Sequence, residues 1–167
     1  MTTQPNQNNT FEVDNIADQM ERTFEGDAWH GSSISEVLSN VCAQEAAVRP
    51  LVAVHTIWEI VLHMSVWQRT VRERLQGRPI VALPDDVDWP PVVEFSDAAW
   101  AEAVLELRKE YELLRQEALR WSDEDLGQTT EGNRFTVYQM LHGVVQHGLY
   151  HAGQIAVLKK AGAGVLV

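Results

Sequence analysis

Two histidines, His147 and His151, stand four residues apart in a stretch whose pattern predicts helix, so both imidazoles project from one helix face about 6 Å apart. Such a pair is half of a metal site. A third histidine, His63, falls inside another predicted helix, and three neutral imidazoles with coordination positions left open are an arrangement typical of catalytic divalent metals. On spacing alone the pair reads equally well as two satisfied core or surface histidines, and His63 alone as a core histidine. The choice depends on whether the fold carries His63 to the pair.

The neighbouring residues narrow the chemistry. A zincin needs a glutamate directly after its first histidine as general base, and here that position is Gly148. Di-iron bundles use Glu-x-x-His pairs on two helices, and this chain has none. No Gly-rich phosphate loop or nucleophile elbow is present. Glu59, one turn before His63, is a candidate for orienting a ligand, transferring a proton or binding metal, although a capping role also accounts for it. Gln154 lies one turn beyond His151 and offers either support to that ring or polar packing. Trp67, one turn past His63, reads as core or as the wall of a pocket.

Composition bounds the partners. Thirteen Lys and Arg against twenty-four Asp and Glu give a formal charge of −11, a surface that repels phosphate backbones and anionic lipid, so nucleic acid and membrane are not expected partners. No apolar run approaches the length of a transmembrane helix. The single cysteine, Cys42, cannot close an internal disulfide or build a Cys-based zinc site, which makes a reducing cytoplasm the simplest compartment. Residues 1–10, rich in Asn, Gln and Thr, have neither a basic start nor an apolar core for a signal and read as a disordered tail; 11–167 read as one domain.

Four long helices must position the histidines. Phe11, Val13, Ile16, Met20 and Phe24 keep helical spacing over roughly 12–25, with Asp14 near the start and Gly26 at the end. Ser33-Ile34-Ser35-Glu36 is a capping box for a short helix to about Val41. Thr56-Ile57-Trp58-Glu59 is a second box, opening a helix that runs to Gln76 and stops at Gly77; it puts His63 inside and leaves His55 just outside. The prolines between Gly77 and Ser96 rule out continuous helix there. Ser96 or Asp97 opens a third long helix to about Trp121, and the Thr136-to-Gln139 box opens the last, which runs to about Lys160 before Gly162. Along that helix His142 sits about 140° around the axis from His147, which removes it from the same site. The expected fold is all-α, a four-helix bundle with a long crossover that lets the second and third long helices run parallel.

The segment His55-Thr56-Ile57-Trp58-Glu59-Ile60-Val61-Leu62-His63-Met64-Ser65-Val66-Trp67, followed by His147-Gly148-Leu149-Tyr150-His151-Ala152-Gly153-Gln154-Ile155, resembles the DinB-like (YfiT-like) superfamily of metalloenzymes. Trp29-His30-Gly31 extends the likeness, which covers nearly the whole chain after the tail. The resemblance implies an up-down-down-up four-helix bundle with the crossover between helices two and three. It implies a metal held by one histidine of helix two and the pair of helix four, here His63, His147 and His151. It further implies a zinc, nickel or similar divalent ion, a homodimer, and transferase or isomerase chemistry on a low-molecular-weight thiol. Gly148 departs from the acidic or amide residue often found after the first histidine of the pair.

The reading that follows is a metal-dependent enzyme of transferase or hydrolase type, one divalent metal activating a thiol or water for a small-molecule substrate, with Glu59 as the candidate catalytic side chain. The alternative is a binding protein or sensor that captures a small molecule in the same pocket without turning it over. Conjugate formation with a panel of thiols and electrophiles separates them. A third possibility makes the histidines a structural staple.

Overall fold

The computed structural model describes residues 11–162. The tail expected at 1–10 lies outside the described residues, as do 163–167 of the expected domain. Among the described residues there are seven helices: α1 (Glu12–Phe24), α2 (Ile34–Leu38), α3 (Ala43–Ala47), α4 (Ile57–Leu75), α5 (Asp85–Asp88), α6 (Asp97–Ala118) and α7 (Val137–Gly162). No strand is present among them, only an isolated bridge between Thr129 and Thr136, so the fold is all-α as expected.

The helix starts follow local chemistry. Ser33 with Glu36, Thr56 with Glu59 and Thr136 with Gln139 each form the reciprocal pair of bonds that satisfies otherwise orphaned N–H groups of a first turn. Ser96 caps α6 by accepting from the Ala99 N–H. α1 differs: Asp14 is not its cap. The Asp123 carboxylate, from the loop after α6, takes the Glu12 and Val13 N–H groups at 2.8 and 2.9 Å, so this cap comes from across the molecule. α2 ends at Leu38 rather than near Val41, and a further one-turn helix, α3, follows with Cys42 and Glu45 as its box. α6 ends at Ala118, because the N–H groups of Arg120 and Trp121 bond three residues back in a tightened last turn.

α4 packs on α6 and α7, and α1 packs on the same two helices. Cross-helix bonds give the directions. Arg69 holds Glu106 and Glu110, Arg72 holds Glu110, and Gln76 holds Glu117, so residue numbers on α4 and α6 rise together and the two helices run parallel. One core cluster joins Val61 and Met64 early in α4 to Leu107 of α6 and Ile155 late in α7; the second joins Leu75 late in α4 to Leu114 of α6 and Val137 early in α7. α7 therefore runs against α4. The chain between α4 and α6 must travel back along the length of α4, about 30 Å, and α5 lies on that route, packed on α4. No described helix is long and apolar enough to cross a membrane.

Gly148 sits where α7 comes closest to its neighbours. A Cβ there would fall on the Tyr111 hydroxyl, 3.0 Å from Thr23 Cγ2 and 3.3 Å from Ile34 Cδ1, so the absence of a side chain is a packing requirement.

Candidate metal centre

The Thr56 cap fixes the start of α4 two turns before His63, and the Thr136 cap fixes α7 so that His147 and His151 come three and four turns in. With the two helices antiparallel, the three rings meet. His147 Nε2 lies 3.1 Å from His63 Nε2 and 3.0 Å from His151 Nε2, and one ligand atom from each residue falls within 4.8 Å of the others. The three are positioned to hold a metal ion.

The outer nitrogens decide which atoms face inward. His63 Nδ1 is 2.8 Å from the Asp88 carbonyl, an acceptor only, so that nitrogen carries the proton and Nε2 carries the lone pair. The Asp88 carboxylate adds a contact at 3.2 Å and is itself held by the Trp67 indole N–H at 2.7 Å. His151 Nδ1 donates to Gln154 Oε1 at 2.6 Å, while the Gln154 amide donates to the Tyr150 hydroxyl at 3.1 Å, which fixes the amide and leaves the His151 Nε2 lone pair inward. His147 Nε2 faces two lone pairs and has one proton at most to give. Neutral rings alone leave this cluster one bond short, and the buried His147 Nδ1 has no partner either. A cation accepted by three nitrogens resolves the conflict, so the donor set fits a divalent metal that favours imidazole.

Burial keeps the rings neutral. It pushes His147 down to about 3, with His151 and His63 adding repulsion, and His151 down to about 4 against the opposing Gln154 bond. His63 is also lowered by burial, partly offset by Asp88. Neutral imidazole is the form that ligates metal.

Trp89 lies flat on His63, 3.8 Å between centroids and 6° between planes, and His55 lies on the other face of Trp89 at 3.6 Å and 7°. His55 thus stands outside the ligand group but stacks against it through the tryptophan. His142 packs on Tyr138, away from the triad, and Trp29 is fully exposed. The Glu59 carboxylate receives the Thr56 N–H at 2.7 Å, pairs with Arg49 at 2.7 Å and lies 3.3 Å from His55 Nδ1; its bonds go to the cap and to these two side chains, not to the triad. Asp88 and Trp89 were not visible as site residues in the sequence. Their only signal, an Asp-Trp pair before two prolines in a helix-breaking link, carries no spacing that ties it to His63. Gln154 was visible, one turn from His151.

One cavity reaches the triad and a second reaches residues around it. His147, the least buried of the three, lines a cavity of about 1020 Å³ together with Trp67; His55, Tyr150 and Gln154 line another of about 530 Å³. The family model described as DinB superfamily matches residues 28–155, a span that includes all three histidines. No curated protein and no solved structure matches the chain.

Proposed function

Since the chain belongs to the DinB superfamily, we propose that it is a metal-dependent enzyme acting on a small molecule, with His63, His147 and His151 as the ligands of one divalent ion, zinc or nickel. The observation that carries this reading is the convergence of three Nε2 atoms whose outer partners, Asp88 and Gln154, turn the lone pairs inward. When bound, such an ion supplies a Lewis acid that lowers the pKa of a thiol or water beside it, which makes thiol-dependent transfer or isomerisation, or hydrolysis, the reaction class.

The chain's own residues do the rest. Asp88 and Gln154 orient two of the rings, and the Trp89 ring covers one face of His63 and keeps water from it. Burial holds all three imidazoles neutral, ready to ligate rather than to carry protons. Glu59 is our candidate for proton transfer, supported by its place one turn before His63 and its 3.3 Å contact to His55, the ring that stacks on Trp89. We expect a homodimer in the cytoplasm, on the grounds of the family resemblance and the lone Cys42.

Metal content of purified protein, measured beside that of His151→Ala, tests the site: wild type near one equivalent and the variant far below is the expected result, and equal content overturns it. Wild-type protein loaded with metal is then incubated with low-molecular-weight thiols and electrophiles. Conjugates above background establish catalysis; ligand binding without turnover favours a sensor.

A further inference from the structure

The cavity beside His147 has a charge character opposite to that of the whole chain. The protein carries −11, yet no Asp or Glu lines this space, while Arg74 and Arg134 both do. Every other arginine of the described chain lies within ion-pair distance of a carboxylate. Arg74 and Arg134 have none among the described residues. Arg74 is buried, its Nε given to the Ile80 carbonyl and its guanidinium 5.6 Å from the Trp67 ring; Arg134 lies over Phe135 at 4.6 Å. In a chain with nearly two acids for each base, two guanidinium groups left free of carboxylates in one cavity are an anion-binding arrangement.

The helices set the shape of what fits. Trp67 and Arg74 are seven residues apart on α4, with the Arg74 guanidinium reaching back to 5.6 Å from the Trp67 ring, and the antiparallel α7 brings His147 to the Trp67 end, 6.1 Å between ring centroids, and the Arg134 loop to the other. Between the two ends the wall carries the apolar side chains of Val71, Met140 and Val144, with Gln139, His142 and Gln146 as its polar members. We propose that this cavity binds an elongated organic anion, its acid group held by Arg74 and Arg134 and its far end directed past the Trp67 ring to His147. Which end reacts rests on the metal-centre reading; the anion preference does not.

The test is calorimetric titration of the full chain with 4-phenylbutyrate, 4-phenylbutyramide and 4-phenylbutylamine. It is run on metal-loaded protein and on protein stripped with a chelator and dialysed, for wild type, Arg134→Gln and Arg74→Gln. Arg134 is exposed, so its variant folds even if that of Arg74 does not. The expected result is that the carboxylate binds at least about tenfold more tightly than the amide and the amine does not bind, as loss of a charge-assisted pair implies. The preference persists without metal and falls about tenfold in Arg134→Gln. Equal binding of acid and amide, or no binding of any probe, overturns the proposal. So does a preference that survives both substitutions but disappears with the metal, since the acid then sits on the ion. Metal content of the same samples keeps the two readings apart: protein that takes up no metal on loading but shows the carboxylate preference removes the metal reading and leaves this one standing.

Discussion

Asp88 grips His63 twice, its backbone carbonyl 2.8 Å and its carboxylate 3.2 Å from the same ring nitrogen, and the carboxylate is anchored in turn by Trp67. A residue of the link between α4 and α6 therefore sets the tautomer of a histidine in the middle of α4.

Asp88→Ala leaves the carbonyl bond but removes the carboxylate and its tie to Trp67. Metal affinity is expected to fall about tenfold, the lower end for a lost orienting partner, with helicity unchanged. Competition against a chelator of known affinity measures it, and an unchanged affinity would show that the backbone contact alone suffices.

Gly148→Ala sets helix propensity against space. Alanine favours a helix interior by about 1 kcal/mol over glycine, but here its Cβ collides with Tyr111 and crowds Thr23 and Ile34, a strain of about 1–3 kcal/mol. The net change is expected to be destabilising. Tyr111→Phe removes a buried hydroxyl that has no partner, so adding it to Gly148→Ala restores part of the loss. Chemical denaturation of the two single variants and the double variant yields the coupling, and additivity would mean that the clash is relieved elsewhere.

Glu110 is buried between Arg69 and Arg72, at 3.0 and 2.9 Å, and ties α6 to α4. Its replacement by alanine leaves two cations that can still reach water, so the expected cost is about 2 kcal/mol rather than the 3–5 of a fully buried pair. Metal content stays as in wild type. A thermal melt with parallel metal analysis decides both points.

Burial tends to raise the Glu59 carboxyl, but the Thr56 N–H and Arg49 outweigh it and hold it below its ordinary 4.5. A carboxyl depressed in the folded state contributes stability that is present above the unfolded value and is lost as pH falls through the folded one. Metal-free wild type should therefore lose part of its melting temperature below about pH 4.5. Glu59→Gln, which keeps a cap acceptor without the charge, should lose less over the same range. Parallel slopes for the two proteins would show that the cap does not depend on ionisation.

The readable parts of this molecule were those whose cause lies within a few residues. Three capping boxes located α2, α4 and α7, and i,i+4 spacing placed His147 and His151 on one face, because each depends on bonds inside a single turn. α3 went unread since cysteine is an unusual cap. The start of α1 rests on Asp123, more than a hundred residues away, and no local pattern encodes that bond. Asp88 and Trp89 belong to the same class: they reach His63 only once the link has folded back along α4. The glycine after the first histidine looked like a missing catalytic side chain, and the structure gives its reason as contact with Tyr111.

The stacked rings of His55, Trp89 and His63 also bear on how this chain can change. At the exposed residues Val81 and Ala82, and again at Val93 and Glu94, the link has room for insertions into solvent. At Asp88 and Trp89 it does not, because sliding by one residue would withdraw a carbonyl from one ring and a flat surface from two. The connection can lengthen where it is exposed but is fixed in register, so an insertion is tolerated on either side of that clasp but not within it.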